Sequence, residues 1–331
     1  MSSYPISVAP MMEWTDRHCR YFLRGFSPRV QLYTEMITAE ALLRGDAARL
    51  LRYDPREQPL ALQLGGSDPL RLAAAARLGA AAGYQEINLN CGCPSDRVHA
   101  GAFGACLMAD PARVGECVAA MRAAVAVPVT VKMRIGVLGG GEAMARIGRY
   151  EEADFDALLL FTETVRQAGC DCVIVHARQA VLGGLSPKEN REVPPLRYEV
   201  VQRLKRLMPA LPVILNGGLR TVAEIQRALG WCDGVMLGRE AYHRPYLLSD
   251  AHQLIFNDGW HRPSPSALLE RMASYADEQL PDGTPLPAIV RHMLGLLTGE
   301  PGARQFRQRL SEGARRPGAG ARVIREALRV G

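Results

Sequence analysis

The sequence predicts a parallel α/β fold of the (β/α)8 TIM barrel class, followed by a smaller all-helical C-terminal domain. Three observations predict it. Eight short strand-like runs recur between residues 6 and 239 with helix-like segments between them, the alternation expected of a parallel sheet covered by helices. A count of eight favours closure into a barrel over an open sheet. Polar residues also gather at the C-terminal ends of the runs, whose N-terminal halves are mostly apolar, and catalytic groups of such barrels collect at that end.

The runs are "ISVAPM" (6–11), "VQLYTEMI" (30–37), "LALQLGG" (60–66), "QEINLNCG" (85–92), "PVTVKMRIG" (128–136), "CDCVIVHA" (170–177), "LPVILNGG" (211–218) and "CDGVMLGR" (232–239). Two intervening segments, "DPLRLAAAARLGAAAG" and "DPARVGECVAAMRAAV", open with Asp-Pro. Aspartate caps a helix and proline suits its first turn, so both begin helices there. The strand ends carry Met11, Glu35, Gln63, Asn88, Asn90, Lys132, Arg134, His176, Arg178, Asn216 and Arg239. The segment "GVLGGGEAMARIGRYEEAD" (136–154) interrupts the pattern, and its three consecutive glycines predict a mobile top-face loop. Beyond Arg239 no strand pattern follows, which divides the chain into a barrel over 1–245 and a helical domain over 250–331.

Composition narrows the function classes. The 331 residues contain no long apolar run, so no membrane span is expected. The N-terminus lacks the basic and apolar regions of a secretory signal. Eight cysteines in a chain of this length do not form a small disulfide scaffold, and a cytoplasmic protein with reduced thiols is expected. Net charge is +6 and the pI about 9.0. Residues 299–331 hold eight arginines against three glutamates. Guanidinium forks suit phosphate, so this tail is either a nucleic-acid contact or a solvated helical surface.

The loops "LNGGLRT" (215–221) and "MLGREAY" (236–242) follow the seventh and eighth runs, where barrels bind phosphate through backbone N–H groups and a helix N-terminus. Lys132 at a strand end calls for an anion or a polarised carbonyl. His176 lies opposite, and Gln63 offers an amide to a heterocycle edge. A flat ring with a phosphate tail, met by Lys132, His176, Gln63, Arg239 and glycine loops, is flavin mononucleotide (FMN).

The stretch "INLNCGCPSDRVHAGAFGA" (87–105) places Cys91 and Cys93 one residue apart. That spacing is too tight for the usual zinc pair, so no metal site is expected. A disulfide there would be strained. Either cysteine is suited to packing, as are Cys170, Cys172 and Cys232 at strand starts. Cys93 falls just past its strand, where a thiol faces the pocket and, near its ordinary pKa of about 8.5, has a proton to donate.

"INLNCGCPSDRVHAGAFGACLM" resembles the signature of the tRNA-dihydrouridine synthases. "SVAPMMEWTDRHCR", "YTEMITAEALL", "VKMRIG" and "VHARQAVLGGLSPKENREVPPL" agree with it over nearly the whole barrel. "GLSPKENR" and "GARQFRQRLSE" look like the A-type bacterial subfamily, which acts near nucleotide 20 of the tRNA D-loop. The resemblance implies FMN held by Pro10, Met11, Met12, Gln63, Lys132, His176, Asn216, Gly217, Gly218, Gly238 and Arg239. It implies NADPH as reductant, hydride passing from flavin N5 to uracil C6, and Cys93 protonating C5. It places Asn90 on the target base, and Arg178, Lys188, Arg191, Arg304 and Arg307 toward tRNA. Cys91 stands where the family more often has a small aliphatic residue. A monomer is expected. Two rival readings are an FMN barrel acting on a free small molecule, against which the basic tail argues, and a non-enzymatic RNA-binding barrel, against which Cys93, Lys132 and the phosphate loops argue.

Overall fold

In the computed structural model, residues 5–95, 103–141 and 143–328 are described. The downstream part of the cysteine motif (96–102) and Arg329 of the basic tail lie outside them.

Eight parallel strands form the predicted barrel: β1 (Ile6–Val8), β2 (Leu32–Tyr33), β3 (Leu60–Gly65), β4 (Glu86–Cys91), β5 (Val129–Arg134), β6 (Cys172–His176), β7 (Val213–Asn216) and β8 (Gly234–Leu237). Neighbours pair in sequence order from β2 to β8, and β8 pairs with β1. The ring closes through the bridge between Ser7 and Gln31, where Val8 N donates to Gln31 O at 2.9 Å and Gln31 N to Ile6 O at 3.1 Å.

Helices α1 (Arg17–Arg24), α2 (Ala39–Arg44), α3 (Pro69–Ala81), α4 (Pro111–Ala124), α5 (Glu152–Gln167), α6 (Tyr198–Leu207) and α7 (Val222–Leu229) alternate with the strands. Both Asp-Pro starts are present. Asp68 accepts Arg71 N at 2.9 Å and Asp110 accepts Arg113 N at 3.1 Å, caps worth about 1 kcal/mol each.

The strands bury two layers. Ile87, Leu89 and Cys91 of β4 pack with Val129, Val131 and Met133 of β5 in the core that also receives the helices. The alternate residues belong to the barrel interior, where Ala9, Tyr33, Ala61, Cys172, Ile174, Ile214 and Met236 form a separate apolar cluster. Period-two alternation therefore assigns Gln63, Asn88, Asn90, Thr130, Lys132 and His176 to the inner face.

After β8 the chain is helical among the described residues: α8 (Arg239–His243), α9 (Tyr246–Phe256), α10 (Pro265–Gln279), α11 (Leu286–Val290), α12 (Ala303–Gly313) and α13 (Arg322–Arg325). This part is fastened to α1. Tyr275 stacks on Tyr21 at 4.0 Å and bonds His18 Nδ1 at 2.8 Å. Asp16 caps α1 through His18 N and Cys19 N and also receives Arg291 and His292 Nε2. These donors hold its carboxyl far below the usual carboxylate range against the opposing effect of burial. One residue thus ends a barrel loop and docks the helical part.

The segment 136–154 differs from an open loop. Its strand Val137–Leu138 pairs with Ala180–Val181, and Leu138, Ala143 and Val181 make a small core of their own with Ile147 and Leu185 packed on it. Tyr150 donates to Ile135 O at 2.9 Å and Arg146 pairs with Asp154 at 3.0 Å. Because this core is separate from the barrel's, Leu138→Ala should open it locally. Amide hydrogen exchange should quicken over 137–148 and stay unchanged in β3–β6. Equal quickening in both would merge the two cores.

Candidate functional site

The site is built at the C-terminal ends of the strands. Past β4 the chain turns sharply, and Asn90 makes the turn. Its Oδ1 accepts Gly92 N at 3.1 Å and Cys93 N at 3.0 Å. Ala105 N donates to Cys93 O at 2.9 Å, so the backbone of Cys93 is held from both sides. Its side chain stays partly exposed, with the thiol 3.6 Å from Ser95 Oγ. Cys91 has the opposite fate. It is wholly buried between strand and helix, and desolvation pushes its thiol pKa well up. Cys170, Cys172 and Cys232 are buried as well. The turn that Asn90 makes past the end of β4 therefore separates an inert cysteine from an available one.

Beside Cys93 lies a set of cations. Burial, with the charges of Arg134 and Arg191 adding to it, pushes the Lys132 pKa down to about 7. Among the described residues no carboxylate pairs with Lys132. His176 at the end of β6 is buried, and its pKa is driven well below the ordinary value by desolvation and then by Arg134, Lys132 and Arg178. It is therefore neutral at physiological pH. Gly217, at φ +107°, lies against it. A Cβ there would stand 2.5 Å from the ring, so the glycine is required by the histidine as well as by the turn. Asn216 Nδ2 donates to Met236 O at 2.8 Å, tying β7 to β8. Gly238 precedes Arg239 at the start of α8, and a side chain there would meet open space.

Arg134 has a role that its place at a strand end did not reveal. Its Nε donates to Gly92 O at 3.1 Å, and its Nη1 to Asn190 O at 3.0 Å and Gln179 O at 3.4 Å. It clasps the cysteine turn to the segment after β6. Burial lowers its pKa to about 9, which leaves it charged at neutral pH. The clue in the sequence was parity, since Arg134 shares the inward face with Thr130 and Lys132.

The remaining expected residues fall in three places. Pro10 and Met11 are partly buried after β1, whereas Met12 is 58% exposed. Arg178 turns onto the carbonyls of Glu192 and Pro194, and Arg239 pairs with Glu192 at 2.5 Å. Lys188 and Arg191 are exposed on the segment that Arg134 clasps. Arg304 and Arg307 lie on α12, exposed, opposite the buried Phe306 and Leu310. Among the described residues Arg304, Arg307, Arg309, Arg315 and Arg316 have no carboxylate partner. Arg322 and Arg325 are paired, with Glu326 and with Glu270 and Asp277. Of the seven described arginines in the basic tail, two are thus internal structure and five carry free charge.

These donors fit an electron-rich ring carrying a phosphate. Lys132 is a partly buried cation without a counter-charge, His176 is neutral, Gln63 lies buried beneath with its amide bonded to Asn90 and Asn88, and the mouth holds Arg178, Arg191 and Arg239 with Glu192 as the neighbouring carboxylate. The unpartnered buried Nε of Arg178 adds an unmet donor.

Comparison with known proteins shows the family. Residues 7–329 match the family described as Dihydrouridine synthase (Dus). The chain is 53% identical over 327 residues to the tRNA-dihydrouridine(20/20a) synthase of Xanthomonas axonopodis pv. citri, covering 99% of this chain and 94% of that one. It is 54% identical to the protein of that name in Pseudomonas syringae pv. tomato, covering 92% and 87%. With that of Vibrio cholerae it shares 48% identity over 98% and 95%.

Proposed function

The chain belongs to the dihydrouridine synthase family, and from that premise we propose that it reduces uridines 20 and 20a of the tRNA D-loop to 5,6-dihydrouridine. The observation that carries the reading is Cys93. It is a partly exposed thiol held by its backbone at the end of β4, beside a cationic mouth suited to FMN. FMN held there and reduced by NADPH would supply a hydride to uracil C6. Cys93 then gives its proton to C5, which completes addition of two hydrogens across the double bond.

The chain's own residues bind and orient. Gln63, Lys132, His176, Asn216, Gly217, Gly218, Gly238 and Arg239 hold the cofactor, with Pro10, Met11 and Met12 beside it. Asn90 Nδ2 is committed to Gln63 Oε1 at 2.9 Å, so Asn90 meets the target base with its remaining capacity. The base must leave its stack to reach the barrel mouth, which costs a few kcal/mol. Lys188, Arg191, Arg304 and Arg307 offset that cost by holding phosphates. Residues 1–245 are the catalytic domain and 250–331 the tRNA-holding domain of a cytoplasmic monomer. Among the described residues no helix is long and apolar enough to cross a membrane.

The test is dihydrouridine mapping in tRNA from a strain lacking the protein, with and without complementation. Loss confined to positions 20 and 20a, restored by the gene, is expected. Unchanged dihydrouridine at both positions would overturn the reading.

Lys132 adds a pH prediction. Without an anion the folded protein holds its pKa near 7, against an ordinary 10.5. Between those values the fold binds fewer protons than the unfolded chain, so this lysine penalises folding fully below pH 7. The penalty fades as pH rises toward 10.5. An electron-rich ligand restores the charge, so FMN binding at pH 8 should take up about one proton and weaken as pH rises from 7 to 9. Calorimetry in two buffers of different ionisation enthalpy measures this. Lys132→Met should abolish the uptake, and identical heats in both buffers for the wild type would detach Lys132 from the flavin.

A further inference from the structure

The barrel interior beneath Cys93 is unlike the rest. Where β6, β7 and β8 contribute Ile174, Ile214 and Met236, β3, β4 and β5 contribute Gln63, Glu86, Asn88, Asn90 and Thr130, all buried. These side chains form one unbroken series. Cys93 N and Gly92 N donate to Asn90 Oδ1. Asn90 Nδ2 donates to Gln63 Oε1 at 2.9 Å, and Gln63 Nε2 to Asn88 Oδ1 at 2.7 Å. Asn88 Nδ2 donates to Thr130 Oγ1 at 2.8 Å, and Thr130 Oγ1 to Glu86 Oε1 at 2.5 Å. Tyr33 OH donates to the same carboxyl oxygen at 2.7 Å.

The donors all run in one sense from Asn90 to Glu86, down from Asn90 to Gln63, across neighbouring strands through Asn88 to Thr130, and down again to Glu86, and the two ends enforce this sense. At the top, two backbone N–H groups require Asn90 to present oxygen, which turns its NH2 to Gln63. At the base, Glu86 Oε1 serves two hydroxyls, which commits the Thr130 proton downward and leaves its lone pair for Asn88. If the Asn88 amide turned over, its NH2 would face the NH2 of Gln63, and its oxygen would compete with Glu86 for the Thr130 proton. Unmet buried donors are costly, so one orientation of all three amides is selected. Apolar residues fill such an interior at no loss of stability, and packing alone gives no reason for the polar series to end on the cysteine turn.

We propose that Glu86, Thr130 and Asn88 are positioning residues: their one-way hydrogen-bond series fixes the Gln63 and Asn90 amides and, through Asn90, the place of Cys93. The inference rests on the assignment of Cys93 as proton donor.

The test uses the flavin-loaded enzyme in a Cys106→Ser background, which removes the other partly exposed thiol among the described residues. Thr130→Val deletes the hydroxyl at the middle of the series. Asn88→Asp keeps the shape but replaces the donor to Thr130 by an acceptor. Both should lower kcat for tRNA by roughly ten- to a hundredfold, with KM for tRNA within about twofold. Both should change the rate at which iodoacetamide alkylates Cys93, read by peptide mapping. Thr130→Ser should restore both quantities.

Wild-type kcat and alkylation in Thr130→Val would overturn the proposal. So would a Thr130→Ser enzyme as impaired as Thr130→Val, which would make Thr130 a packing residue. If Thr130→Val does not fold, an unaffected Asn88→Asp enzyme overturns it equally. Alkylation needs no turnover. A parent enzyme that makes no dihydrouridine therefore refutes the function, while the thiol's reactivity still judges the series.

Discussion

Cys93→Ala is expected to slow tRNA reduction by about 10²–10⁴-fold, the usual contribution of a positioned general acid. Among the described residues no other thiol stands in its place. Cys91, two residues away, is wholly buried in the layer between strands and helices. Cys106 is the other partly exposed thiol among the described residues, and it donates to Phe103 O at 3.1 Å. The loss should fall on kcat, because the residues proposed to hold tRNA phosphates lie on α12 and the segment after β6. Flavin content should stay at the wild-type level, since the donor set proposed for FMN does not include Cys93.

Cys91→Ala is the discriminating control. It removes one sulfur from a packed core, which costs about 1 kcal/mol of stability, and it should retain kcat. Full dihydrouridine formation by Cys93→Ala would remove this thiol from the chemistry. A dead Cys91→Ala with normal melting would transfer the proton-donor role to Cys91. Single-turnover formation of dihydrouridine on tRNA, followed by mass spectrometry, reads both variants directly.

The barrel was legible because its signals are local. Apolar alternation marks strands, Asp-Pro marks helix starts, and glycines after β7 mark the turn that Gly217 makes against His176. The second strand shows where local signals stop. The run "VQLYTEMI" reads as one strand of eight residues, yet β2 is only Leu32–Tyr33, and pairing with β3 resumes at Ile37–Thr38. At the break the Thr34 hydroxyl accepts Gln63 N at 3.0 Å. A side chain takes the place of a backbone acceptor there.

The glycines at 139–141 show a second limit of local signals. They do form a turn, but Leu138 finds Val181 some forty residues later, and such contacts leave no local trace. The same holds for Arg134, whose three carbonyl partners come from two distant segments. The polar series from Glu86 to Cys93 draws on three strands plus Tyr33, so its members look like isolated polar residues in apolar runs. Parity on each strand was the available sign, because Glu86, Asn88 and Asn90 share one face of β4.

Arg304→Ala with Arg307→Ala should weaken tRNA binding and flatten its dependence on salt. Both residues are exposed on one face of α12, three apart, and carry no carboxylate partner among the described residues. Arg309, two positions on, is partly buried and points elsewhere. Arg322 and Arg325 serve as internal controls: they carry the same charge but are committed to Glu326, Glu270 and Asp277. A guanidinium already paired releases few counterions when RNA arrives, whereas a free one releases its full share. Removing both free arginines should therefore reduce the slope of log K against log salt by roughly 0.7–0.9 for each phosphate left without its arginine. Arg322→Ala should leave the slope unchanged. Flavin content, a property of the barrel, should be the same in all three proteins. The measurement is a set of tRNA affinities over a salt series. An unaltered slope and affinity in the double variant would make α12 a solvated surface and would favour a flavin barrel with a small free substrate.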